Sequence, residues 1–265
     1  MNDTIVFYGL LDDEAVPIDA VALELSALDH DGASITPYLE LINQMAARVL
    51  ALSAESQTPG EKSAVLALVI AQENDFTGDR QSYDAPVNAD MIRVFDRRRG
   101  LPISLAIIYV AVARRLGWAA YVINLPGHVL VSLGEVEPVL IDVFNDGAVI
   151  GIDKLDGANP LNDRRSTLTQ QVRRMSNRDV LVRLLQNQAS RAEQEQDYER
   201  ALAVYERMKT VAPASPQGWA ALARVQLKVG AHAAARTNLI SLLEITRNPN
   251  ARAQISQALE TLADG

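Results

Sequence analysis

The sequence predicts an α+β unit followed by an all-α helical repeat array. Three observations point there. An apolar helix-like segment, "PISLAIIYVAVARRL" at 102–116, runs directly into four short strand-like segments. From about Asp179 onward only helical periodicity remains. That second region also resembles itself at a spacing of 34 residues. At 265 residues the chain has room for two modest domains, since a domain commonly takes roughly 100–200. We expect a boundary near 175–180, which gives domains at 1–175 and 176–265.

Composition narrows the function classes. Hydrophobic residues make up 48% and charged residues 22%, so a packed core is expected rather than disorder. A net charge of −8 and a pI near 5.0 argue against general affinity for nucleic acid, whose phosphates repel an acidic surface. There is no cysteine, which removes disulfides, thiolate metal sites and thiol nucleophiles together. The opening "MNDTIVFYGLLDDEAVP" has neither the basic nor the apolar region of a signal peptide. The longest apolar run, Leu105 to Ala113, is broken by Tyr109 and is far shorter than the ~20 residues of a membrane span. The expectation is a cytoplasmic protein with no membrane or nucleic-acid partner and no cofactor.

Residues 18–72 read as helices. "PIDAVALELSAL", "SITPYLELINQMAARVLAL" and "GEKSAVLALVIAQEN" each place apolar residues at helical spacing, with Thr36-Pro37 and Pro59-Gly60 between them. Residues 74–90, "NDFTGDRQSYDAPVNAD", read as a loop. Its carboxylates Asp75, Asp79, Asp84 and Asp90 lack calcium-loop spacing and are expected to be solvated. Residues 102–116 then form one helix. Pro102 suits its first turn and Gly117 its end. Apolar nearly all round, this helix should be buried on most sides. Strands follow at 119–124, 128–133, 138–144 and 147–152, with "LPG" and "NDG" as turns. Residues 153–178 are polar and read as a connector.

In the tail, frames 182–215 and 216–249 align Leu185 with Trp219, Ala189 with Ala223, Gln196 with Gly230, Ala201 with Ala235 and Tyr205 with Leu239. A helix–turn–helix repeat of 34 residues resembles the tetratricopeptide (TPR) pattern. Trp219, Leu222, Ala223, Gly230 and Ala235 fit it in the second frame, as Tyr198, Ala201, Tyr205 and Pro213 do in the first. "NARAQISQALETLA" reads as a closing helix. Such arrays present a concave groove, so the expected partner is a protein or peptide.

The order helix, Gly, strand, His, strand, Asp resembles the transglutaminase-like superfamily, with its papain-type Cys-His-Asp triad. More closely, "RRGLPISLAIIYVAVARRLGW…LPGHVLV…LIDVFNDG" looks like the bacterial SirB family, which joins a transglutaminase-like domain to C-terminal TPR repeats. The resemblance implies a papain-like α+β core. It makes His128 and Asp142 the triad base and acid. Aligning "RRLG" at 114–117 without gaps puts Pro102 where the cysteine belongs. Ser104 lies two residues on, about 200° around the helix. A hairpin register in which paired numbers add to 270 would set His128 opposite Asp142; a one-residue slip would separate them.

Two functions follow. One is a non-catalytic interaction scaffold or regulator. The other is a hydrolase of amides or esters in which a His128–Asp142 pair activates Ser104 or water. Each site residue has a plainer reading too: His128 and Asp142 as turn residues, Ser104 as a first-turn hydroxyl satisfying a free backbone N–H. Arg97, Arg98 and Arg99 before the helix, with Arg114 and Arg115 at its end, are a candidate anion site or else pair with nearby carboxylates. His30, His128 and His232 stand too far apart in sequence to suggest a zinc site.

Overall fold

The computed structural model describes residues 3–125, 127–150 and 174–262. The expected connector up to residue 173, the last two residues of the fourth expected strand and Pro126 lie outside the described residues. Packing divides the chain into two units, Asp13–Val180 and Met1–Asp12 together with Leu181–Gly265. The chain opens with α1 (Asp3–Leu10), which falls in the second of these.

In the unit 13–180, the expected helices are α2 (Ile18–Ala27), α3 (Thr36–Leu52) and α4 (Pro59–Ala67), the last running on as a π-helical turn, Leu68–Glu73. Pro59 and Gly60 are the first two residues of α4 rather than a break. Thr58 caps it through a reciprocal pair: Glu61 N–H donates to the Thr58 hydroxyl and the Glu61 carboxylate accepts from Thr58 N–H. A short parallel pair, β1 (Thr77–Gly78) with β2 (Arg99–Gly100), flanks α5 (Met91–Arg97). Then comes α6 (Pro102–Arg115).

Helix α6 organises this unit. Every residue from Leu105 to Ala113 is at most 3% exposed. Each fully buried Leu, Ile or Val contributes about 1.5–3 kcal/mol. Its end is a two-bond cap: Trp118 N–H reaches Ala113 O and Gly117 N–H reaches Arg114 O, with Gly117 at φ +70°. Arg115 then bonds Asp19 at 2.6 Å and Asn43 at 2.6 Å, tying α6 to α2 and α3. Arg114 bonds Ala120 O at 3.0 Å and Asn177 at 2.9 Å. These two arginines are clamps between elements.

The sheet is antiparallel, in the order β3 (Ala120–Leu125), β4 (His128–Leu133), β5 (Val139–Asp142), β6 (Ala148–Ile150). A 3-10 turn, Val143–Asn145, follows β5. Ile123, Leu130 and Leu140 form an apolar cluster of strand residues, with Leu125 and Ile150 against it. By alternation, Ala120, Val122, Val131, Leu133 and Ile141 face the other way. They are the set left to meet α6, which packs on β3 and β4.

The second unit holds α7 (Asn177–Gln194, from residue 181), α8 (Tyr198–Val211), α9 (Pro216–Lys228), α10 (His232–Ile245) and α11 (Pro249–Thr261). Here the 34-residue spacing becomes geometry. Helices α8 and α10 start and end 34 residues apart. The turn before each is the same pair of bonds, Asp197 N to Ala192 O with Gln196 N to Glu193 O, and Ala231 N to Gln226 O with Gly230 N to Leu227 O. Gln196 and Gly230 both sit at positive φ, 61° and 79°. Ala201, Tyr205, Leu222, Ala223 and Ala235 are buried at the helix contacts, and Trp219 packs half-buried on Ala223, Leu239 and Leu242. Helix α1 lies on α8, where Gly9 lets the backbones touch: a Cβ there would stand 2.3 Å from Thr210 O.

Two glycines give a differential test. Gly117 has open space around it, so Gly117→Ala should cost only its left-handed conformation, about 1 kcal/mol. Gly147, at φ +79°, has Ala67 Cβ 2.6 Å and Tyr109 Oη 2.8 Å from a built Cβ. Gly147→Ala should therefore lose roughly 1–3 kcal/mol more in urea unfolding, the added cost of overpacking.

Candidate functional site

The N-terminus of α6 is where the sequence places chemistry, and a hydrogen-bonded latch occupies it. Leu101 N–H and Ser104 Oγ–H both donate to Asn88 O, at 3.1 and 2.8 Å. Ser104 is fully buried. Its hydroxyl donates to a loop carbonyl, where the plainer reading has it accept from a free backbone N–H. Asn88 is held in turn: its amide nitrogen donates to Ser82 O and Tyr83 O, and Arg97 Nη1 donates to its Oδ1 at 2.8 Å. Arg97 Nη2 meets Asp79 Oδ2 at 2.7 Å. Asp79 also accepts from Ser82 N, Ser82 Oγ and Gln81 N, while its own N–H donates to Gly100 O.

Asp79 is 5% exposed, so the expectation of solvated loop carboxylates fails there. It fails at Asp90 as well, which caps α5 through Arg93 N and meets His30 Nε2 at 2.7 Å. The Ser82 backbone N–H, followed by the Arg97 guanidinium and the Ser82 hydroxyl, holds the Asp79 carboxyl well below the usual carboxylate range, against the opposing effect of burial.

His128 and Asp142 share a sheet face but do not pair. The observed register joins Val131 to Ile141, so the ladder sets Leu130, not His128, level with Asp142. The offset is two residues from the register that would bring them opposite. His128 is exposed at the hairpin end, paired with Leu125. Alternation puts it on the side of Ile123, Leu130 and Leu140, the face α6 does not cover. Asp142 is 7% exposed and caps the next turn. Its Oδ1 accepts from Phe144 N and Asn145 N, and its Oδ2 from Asn145 Nδ2 at 2.6 Å. No hydrogen bond joins His128 to Asp142 or to Ser104 among the described residues. A serine with its proton engaged elsewhere and no base in reach is a weak nucleophile.

The three arginines before α6 diverge. Arg97 is neutralised by Asp79. Arg98, at φ 57°, lies over the Phe76 ring, 4.5 Å from its centroid. Arg99 bonds Asp75 O at 2.8 Å. Among the described residues the three side chains have separate partners. His30 is taken by Asp90, and among the described residues no group of three or more His, Asp or Glu could hold a metal.

Sequence reasoning missed Asp79, Asn88 and the aromatic cover. Phe144 lies over Gly78, where a Cβ would stand 2.5 Å from the ring, and stacks edge-on with Tyr83. Arg80 bonds Asn145 at 2.7 Å across the same seam. Gly78 and Gly100, paired in β1 and β2, were the available signal of close approach.

A family model described as the transglutaminase-like superfamily matches residues 36–186, more than half of the chain. The chain belongs to that superfamily. Its relatives include a "UPF0162 protein" of Xylella fastidiosa, 28% identical over 243 residues, covering 89% of this chain and 86% of the relative. A "UPF0162 protein" of Vibrio cholerae is 33% identical over 111 residues, 41% of this chain and 40% of the relative. The mouse "F-box only protein 21" is 35% identical over 78 residues, 29% of this chain and 12% of its own length. A crystal structure of menin, described as revealing the binding site for Mixed Lineage Leukemia (MLL) protein, aligns over 92% of this chain and 69% of its own, at 12% identity and TM-score 0.42.

The latch predicts a pH signature. A carboxyl with a depressed folded pKa stabilises fully above its unfolded value, near 3.9, and the gain is lost as pH falls through the folded value. Asp79→Asn should cost about 1–3 kcal/mol at pH 7 in denaturant unfolding. The gap to wild type should hold down to about pH 4 and narrow below it.

Proposed function

We propose that the chain is a non-catalytic protein-interaction scaffold of the SirB type, a transglutaminase-like domain carrying a TPR-like array whose groove takes a protein or peptide. The observation that carries this is the state of Ser104. Its hydroxyl is buried and donates to Asn88 O, two residues after Pro102, which the gapless alignment of the resemblance puts where the cysteine belongs. Asp142 supports the same reading, because both of its oxygens are engaged in the turn that follows it. So does the repeated turn at Gln196 and Gly230, which spaces the tail helices as a TPR pattern would.

The test is turnover on a panel of amide, ester and deamidation substrates with wild type beside His128→Ala. The expected result is no turnover that depends on His128. Turnover that falls ~100-fold in the variant, the scale of losing a general base, would replace the scaffold with the water-based hydrolase reading.

A further inference from the structure

The unit 13–180 gathers charge at the end of α6 away from the latch. A cleft of about 820 Å³ opens there, between the chain leaving α6, the turn joining β4 to β5, and the start of α7. Two rings line it, Trp118 and Tyr121. Four carboxylates line it as well, Asp13, Glu14, Glu135 and Asp179, against two guanidiniums, Arg114 and Arg174.

Both arginines are committed to the fold. Arg114 donates to Ala120 O and to Asn177 Oδ1, and Arg174 lies on the Tyr121 ring, 4.0 Å from its centroid. Asp13 and Glu135 are held by neutral donors, which leave their charge in place. Asp13 accepts from the backbone N–H groups of Asn177 and Arg178, and Glu135 from the Tyr121 hydroxyl at 3.0 Å. Glu14 and Asp179 are exposed, and neither carboxylate has a hydrogen bond or ion pair among the described residues. The lining is therefore net negative, and two of its carboxylates are unengaged.

The surroundings have the same sign. Residues 13–180 hold 23 Asp and Glu against 15 Lys and Arg, so the whole net charge of −8 lies in this unit. A cleft whose walls carry one sign of charge concentrates ligands of the other. The rings favour the same kind of ligand, because the face of an aromatic ring attracts a cation. Each already holds one from this chain: Arg174 on Tyr121, and Lys62 Nζ 5.3 Å from the centroid of Trp118. Nucleic acid and other phosphate-bearing ligands are repelled by the same field.

We propose that this cleft docks a basic segment of a partner protein, with its Arg or Lys side chains at Glu14 and Asp179 beside the Trp118 ring. It is a docking site separate from the tail groove and does not depend on that groove being occupied.

The experiment pans a displayed library of random peptides, about 12 residues long, on the full chain. Enriched peptides are then measured by fluorescence polarisation against wild type and two double variants. Glu14→Gln with Asp179→Asn removes the unengaged carboxylates of the cleft. Glu40→Gln with Glu55→Gln removes the same charge from exposed carboxylates of the same unit that do not line it. All four side chains are exposed, so both variants should melt close to wild type. The expected peptides are richer in Arg and Lys than the library, and their affinity falls with salt. It should drop at least roughly 5-fold in the cleft variant, the scale of losing two exposed ion pairs, and less than about 2-fold in the control. Failure to enrich, enrichment without basic bias, or equal losses in the two variants would overturn the site, the last by showing attraction to the acidic unit as a whole. Displacement of the peptides by spermidine at concentrations below their own Kd would give the cleft to a small polyamine and overturn the partner segment. None of these outcomes bears on the scaffold reading, which is tested by turnover.

Discussion

The burial of α6 on all sides is the constraint on which the unit 13–180 depends. A helix without a solvated stripe must be wrapped, and its polar ends must then be satisfied by whatever wraps it. At the C-terminal end Gly117 turns the chain while Arg114 and Arg115 reach back to β3, α2 and α3. At the N-terminal end the wrapping is the 77–88 loop, and Asn88 O receives both Leu101 N–H and Ser104 Oγ–H. Helix, loop and sheet are positioned by the same core.

That arrangement engages Ser104 and Asp142 in separate hydrogen-bond networks. Beside the start of α6, Arg97 bonds Asp79 and Asn88, and Phe144 covers Gly78. A buried charge pair alone is weak support for stability, but this one is met by further donors: Asp79 accepts from three other groups and Arg97 also bonds Asn88. Near His128, a shift of two residues in the ladder and the alternation of β4 are enough to separate it from both Asp142 and α6.

Much of this was legible in the sequence, for physical reasons that also mark the limits. Helix α6 was legible because its apolar run, Pro102 and Gly117 all agree. The tail was legible because two turns with the same hydrogen bonds recur 34 residues apart, even though one uses Gln196 and the other Gly230 at the left-handed position. Helix α1 was not legible. Only Ile5 and Gly9 are buried in it, while Val6, Phe7 and Leu10 are exposed, so no apolar stripe marks the helix. The latch was hidden for a different reason. Asp79 and Asn88 sit in a run of turn residues that reads as solvated loop, and their burial is decided by Arg97 and Ser104 arriving from later in the chain. Register was hidden because β4 is apolar from Val129 to Val131 and lacks the one-sided pattern that pins a strand.

The central claim, that the start of α6 and His128 do not form one site, is tested most directly by Pro102→Cys. The single thiol of that variant can be titrated by its rate of alkylation against pH, with and without His128→Ala. The account predicts the same apparent thiol pKa in both, because among the described residues no hydrogen bond joins His128 to the start of α6. A thiol whose pKa rises by about one unit or more when His128 is removed would show a cysteine–histidine pair, and would contradict the account.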